Sequence, residues 1–163
     1  MADSGAGRRR IARTTTRDAA LPADDAPATT PNQVAGSAHL RIARPVSDLA
    51  KTTTMYCRGL GLRIIGSFEN HDGFDGVMLA FSSSNYHFEF THGRSDAVAP
   101  SPTVEDLIVL YIPEAAEWSA ACISMLDAGF KRVRSFNPYW EIRGRTYVDA
   151  DGYRIVLQNA EPG

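Results

Sequence analysis

The stretch His39-Leu40-Arg41-Ile42-Ala43-Arg44 alternates polar and apolar positions, as a half-buried strand does. Pro45 breaks that ladder, and Ser47 and Asp48 are residues that cap a helix start. Val46, Leu49, Tyr56 and Leu60 then recur at helical spacing, and Gly59 and Gly61 end the helix. Three strand-like runs follow, at residues 62–69, 76–81 and 86–91. Asp72-Gly73 and the polar residues 82–85 supply the turns between them.

After a proline-containing linker at residues 97–103 the same order returns. Residues 106–112 read as a strand, and Pro113, Glu114 and Glu117 mark a helix N-terminus. Trp118, Ala121, Cys122, Met125 and Leu126 form its apolar stripe, and Gly129 ends it. Strands are predicted at 130–136, 145–149 and 153–158. An offset of 68 residues sets Gly61 on Gly129, Ser67-Phe68 on Ser135-Phe136, and Gly76 on Gly144. One residue fewer in the last turn sets residues 86–90 on residues 153–157. Glycines at the same junctions, with the same element order, indicate an internal duplication. The predicted fold is α+β: two tandem βαβββ modules, residues 38–93 and 104–160, forming a curved mixed sheet around a concave cup with helices outside.

Composition changes this picture mainly at the N-terminus. Residues 1–37 hold no aromatic residue and are rich in Ala, Thr, Asp, Arg and Pro, which predicts a disordered tail. Arg8-Arg9-Arg10 is followed by Ile11, Ala12, Arg13 and threonines, not by the apolar segment of a secretory signal, so a cytoplasmic location is expected. The 163-residue chain is 44% hydrophobic with a formal net charge of -2. It therefore gives no electrostatic reason to expect nucleic acid or an anionic membrane as partner. Cys57 and Cys122 fit no metal or redox spacing and are expected to be reduced, small apolar groups.

Candidate chemistry comes from strand faces. One predicted face carries Leu40, Ile42, Phe88, Phe90, Ile108, Leu110, Ile155 and Leu157 and suits packing against helices. The other mixes His39, Arg41, His87, Glu89, Tyr111, Arg154 and Gln158 with Leu107, Val109 and Val156. Apolar walls with a few convergent polar groups suit a small-molecule site. The Asn137-Pro138-Tyr139-Trp140 loop either folds over such a site or packs at the domain edge. His71, Asp72 and Asp75 read as turn residues, Asp149-Ala150-Asp151-Gly152 as a turn, and His92 as a solvent-exposed strand end. No Ser/His/Asp or Cys/His set is supported, and the catalytic residues are left open.

The repeated unit, with His39 opening the first strand and Asp149-Ala150-Asp151-Gly152-Tyr153 entering the last, resembles the vicinal oxygen chelate superfamily. That superfamily holds glyoxalase I, extradiol dioxygenases and bleomycin-resistance proteins. The resemblance covers residues 38–160 and implies one metal ligand on each of four strands. A constant offset puts those positions at His39, Glu89, Leu107 and Val156. Leu and Val cannot bind a metal, and two ligands fall short of a zinc or non-haem iron site. The resemblance therefore implies a protein that binds a small organic ligand without the complete metal site. Arg41, His87, Tyr111, Tyr139, Trp140, Arg154 and Gln158 are its candidate ligand contacts. The alternative is a lyase, isomerase or dioxygenase using Zn, Ni, Mn or Fe held by His39 and Glu89, with His87 as third ligand or general base. A homodimer is implied by the resemblance alone.

Overall fold

The computed structural model describes residues 38–95 and 99–163; the expected tail at 1–37 lies outside the described residues. Module one runs β1 (Leu40–Pro45), α1 (Leu49–Leu60), β2 (Arg63–His71), β3 (Phe74–Ala80) and β4 (Tyr86–Gly93). Module two runs β5 (Leu107–Tyr111), α2 (Ala115–Asp127), β6 (Lys131–Val133), α3 (Tyr139–Ile142), β7 (Gly144–Val148) and β8 (Arg154–Gln158). Each module is a four-stranded mixed sheet, ordered β1-β4-β3-β2 and β5-β8-β7-β6. The first strand of each lies parallel to the last, and the other pairings are antiparallel. The expected α+β pair of βαβββ modules is therefore present, as two four-stranded sheets with no closed barrel. Among the described residues, no helix is long and apolar enough to cross a membrane.

Local sequence explains the elements. The Asp48 carboxylate accepts a 2.9 Å hydrogen bond from the Lys51 N–H at the start of α1, and Gly61 closes that helix at φ 70°. Gly129 does the same after α2 at φ 95°. The strand predicted over 130–136 shortens to three residues. The Ser135 N–H donates to the Glu141 carboxylate (2.7 Å) instead of a ladder, and the chain turns into α3 where a loop was expected. His92 is half-buried, not solvent-exposed, with its Nδ1 3.0 Å from the carbonyl of Val46. Cys57 and Cys122 are free thiols.

The register revises the internal alignment. In β3–β4 the buried pair is Leu79 and Phe88; in β7–β8 it is Tyr147 and Ile155. The last strands are thus offset by 67 residues, as expected. In the first strands, however, Arg41 lies opposite His87 while Leu107 lies opposite Arg154. Leu107 is therefore the counterpart of Arg41, not of His39. The helix N-caps, Asp48 and Glu114, keep that shorter spacing of 66. Two residues enter afterwards, because α2 is 13 residues long against 12 and Ala128 precedes Gly129.

One core joins the modules. Met55 and Tyr56 from α1 meet Cys122 and Met125 from α2, together with Leu79, Phe88 and Phe90 from the first sheet and Tyr147, Ile155 and Leu157 from the second. Polar clasps close its rim. The Tyr56 hydroxyl donates to Asp149 (3.0 Å) and the Tyr153 hydroxyl to the Pro45 carbonyl (2.9 Å). The Arg44 guanidinium lies 4.4 Å from the centre of the Tyr153 ring. The Asp149-Ala150-Asp151-Gly152 turn is therefore also a module clasp, since Asp151 accepts from Ser47 across the junction. Burial pushes the Asp149 carboxyl up, against the hydrogen bonds from Tyr56 and the N–H groups of Tyr153 and Asp151, which hold it down. Asp149→Ala leaves a buried hydroxyl and buried N–H groups unpaired and is expected to cost about 2–3 kcal/mol in urea unfolding. A loss below about 0.5 kcal/mol, the level of an ordinary surface substitution, would contradict the clasp.

Candidate functional site

Four polar side chains from the beginning of β1 and from β4 meet on the sheet face opposite the core. Alternation puts Phe88 and Phe90 into the core, so His87 and Glu89 point the other way. The parallel register sets Arg41 beside His87 and Ala43 beside Glu89. Arg41 Nε donates to His87 Nε2 at 2.9 Å, and Arg41 Nη1 lies 2.5 Å from Glu89 Oε2 in an ion pair. His39, just before β1, brings its Nε2 to 2.6 Å from His87 Nδ1, with ring centroids 4.8 Å apart. His87 is 6% exposed, the Glu89 side chain 12% and the Arg41 side chain 52%.

These contacts fix proton positions. A guanidinium has donors only, so His87 Nε2 must be the acceptor and carry no proton. A neutral His87 then has its proton on Nδ1 and donates it to His39 Nε2. His39 in turn is neutral with its proton on Nδ1. Burial, followed by the adjacent Arg41 and His39, lowers the His87 pKa and keeps that ring uncharged at neutral pH. Arg41 and Glu89 neutralise one another. His39 and Glu89 do not touch; Arg41 and His87 join them.

The other sequence candidates lie elsewhere. Arg154 Nη1 reaches the Val104 carbonyl at 3.4 Å. Tyr111 helps line a cavity of about 690 Å³ at the module junction, with Leu60, Phe81, Tyr86 and Leu157 and none of the four clustered residues. Gln158 is buried on β8 beside Gly144. A Cβ on Gly144 would sit 2.3 Å from the Gln158 Oε1 and 2.5 Å from the Trp140 carbonyl oxygen, so α3 lies tightly over β7. The structure thus resolves the Tyr139–Trp140 segment as a short helix on the second sheet, with Tyr139 exposed and packed edge-on against Trp140 at 4.9 Å. Sequence reasoning found every residue of the first-module cluster but not its wiring.

The two halves match, in order, models of the YycE-like N-terminal domain (residues 40–91) and the YycE-like C-terminal domain (residues 105–159). The uncharacterised YycE protein of Bacillus subtilis strain 168 is 41% identical over 125 residues, covering 77% of this chain and 90% of that protein. The chain belongs to the YycE-like family of the vicinal oxygen chelate superfamily. The crystal structure of B. subtilis YycE superposes with a TM-score of 0.73 at 40% identity, over 78% of this chain and 93% of that one. Leishmania major glyoxalase I (TM-score 0.59, 20% identity, 76% and 86% covered) and Mesorhizobium loti FosX (0.55, 13%, 76% and 90%) share the fold.

Within this family the register decides which side chains stand at matched positions. On β1 and β5 these are Arg41 and Leu107; on β4 and β8 they are Glu89 and Val156. Of the four, only Glu89 carries a metal donor, and Arg41 holds it. The counterpart of His39 is Glu105, exposed in the turn before β5. Among the described residues no three His, Cys, Asp or Glu side chains are grouped to hold a metal ion. Removing Arg41 should leave Glu89 unpaired. Since Arg41 is half exposed, Arg41→Met is expected to cost about 1 kcal/mol, with much of that recovered in Arg41→Met/Glu89→Ala. A double-mutant cycle by urea unfolding that gives a coupling of about zero would contradict the pairing.

Proposed function

We propose that this YycE-like protein binds a small organic ligand on the polar face of its first sheet without a resident metal ion. The observation that carries this reading is the Arg41 guanidinium, which sits at the register position matched by Leu107 and engages both His87 and Glu89. A divalent ion would need those same lone pairs. The donor set does not fit the group, so no step is routed through a metal.

The lyase, isomerase or dioxygenase alternative needs an available base or a ligand set. Both nitrogens of His87 are engaged, and the His39 lone pair accepts the His87 proton. Neither imidazole is free to take a proton from a substrate in this arrangement. Binding and retention of a ligand is the activity these groups support. The superfamily's fold supports the ligand class only to the level of a small molecule.

The same reading includes a homodimer. Phe136, Tyr139 and Ile142 leave 73%, 53% and 76% of their surfaces exposed around α3, an apolar surface that a second copy would cover. Light scattering on the full chain is expected to give a dimer mass, with a shift toward monomer in Phe136→Glu/Ile142→Glu; a concentration-independent monomer would contradict it.

Metal analysis tests the central point. Protein purified without chelators is expected to carry far less than one equivalent of divalent metal per chain. A stoichiometric metal that is lost in Glu89→Ala would overturn the reading.

A further inference from the structure

The polar cluster of the first sheet faces outward with donors only. Every acceptor in it is spent inside the cluster. His87 Nε2 accepts from Arg41, His39 Nε2 accepts from His87, and Glu89 Oε2 is paired with Arg41. The remaining groups are N–H bonds. Arg41 uses Nε and Nη1, which leaves its Nη2 hydrogens without a partner among the described residues. His39 is exposed, and its Nδ1–H likewise has no partner among the described residues. Both belong to side chains anchored at their other end, so they are held in place before anything binds.

From this wiring we infer that the site takes a small oxyanion-bearing organic molecule, a carboxylate or a phosphonate, bound by Arg41 Nη2 and His39 Nδ1. The inference rests on the metal-free reading above and gives its ligand a chemical class. An outward rim of donors selects acceptors, because a ligand group that donates would face N–H against N–H. A guanidinium fork recognises planar and tetrahedral oxyanions better than a compact ammonium does. Glu89 balances the charge of Arg41, so the buried part of the site stays neutral without the ligand while the exposed edge of the guanidinium still attracts an anion. A neutral amine or hydrocarbon would gain nothing from this rim.

The arrangement also divides labour between the two histidines. His39 is a contact residue. His87 is a positioning residue: it is buried, touches no ligand in this account, and orients His39 by donating to its Nε2. His87→Gln keeps a side-chain amide able to accept from Arg41 and donate to His39, whereas His87→Leu removes both bonds.

Calorimetric titration of the full chain with oxalate and, separately, inorganic phosphate at constant ionic strength tests this, with and without added Mn²⁺. The two probes distinguish a carboxylate preference from a tetrahedral-anion preference. Saturable metal-free binding of either anion, one per chain, is expected. Arg41→Met should weaken it by at least about tenfold, the scale of one charge-assisted hydrogen bond. Arg41→Lys, which keeps the charge, should recover only part, and His87→Gln should bind better than His87→Leu. Arg154→Met should bind like the parent chain. If neither anion binds with or without metal, the oxyanion inference fails and the metal-free reading stands. If either binds only after Mn²⁺ is added, both fail. Metal-free binding that survives Arg41→Met unchanged also overturns the inference.

Discussion

The Arg41 guanidinium is the contact on which the functional face depends. Through Nε it sets the tautomer of His87, and through that ring the tautomer of His39. Through Nη1 it neutralises Glu89, which would otherwise be a nearly buried carboxylate without a partner. A single cation thereby consumes the acceptors of three neighbours. A metal ion performs the same electrostatic task with the same lone pairs, so the two solutions exclude one another at one site. The guanidinium is covalently part of the chain and needs no loading. It also keeps hydrogens pointing outward, which a coordinated ion does only through bound water.

The scaffold that holds Arg41 in place is built from the duplication. Parallel pairing of β1 with β4 fixes Arg41 against His87, and the fully buried Phe88 and Phe90 fix the facing of β4. A one-residue slip would bury His87 and Glu89 and expose the two phenyl rings, which makes the register costly to change. The module junction supports this from the far end of β1. The Tyr153 hydroxyl holds the Pro45 carbonyl, and Asp151 holds Ser47 just beyond it. The second module therefore contributes to the first module's site as a brace.

Much of this was legible in the chain. Alternation in the strands, helical spacing of apolar residues and the repeated glycines gave the modules and the facing of nearly every strand. Gly61 and Gly129 mark positive-φ helix ends in both copies. Gly76 and Gly144 keep the first and third strands' shared face open, to the Phe68 ring in one copy and to the Trp140 backbone in the other. What a constant offset could not show was the two-residue difference hidden between the helix N-cap and its closing glycine. That difference moved the counterpart of Leu107 from His39 to Arg41, and with it the meaning of the asymmetry between halves. Hydrogen-bond wiring is also absent from periodicity, because the same four residues could have been arranged as ligands around a centre. The helical form of residues 139–142 was equally hidden, since it depends on Glu141 reaching back to Ser135.

The most direct test of the guanidinium-centred site is the tautomer of His87, read by nitrogen-15 NMR of the imidazole rings at neutral pH. The account predicts a neutral ring protonated on Nδ1, with Nε2 bearing the lone pair, and loss of that preference in Arg41→Met. A His87 protonated on Nε2, or a ring whose state is indifferent to Arg41, would contradict it.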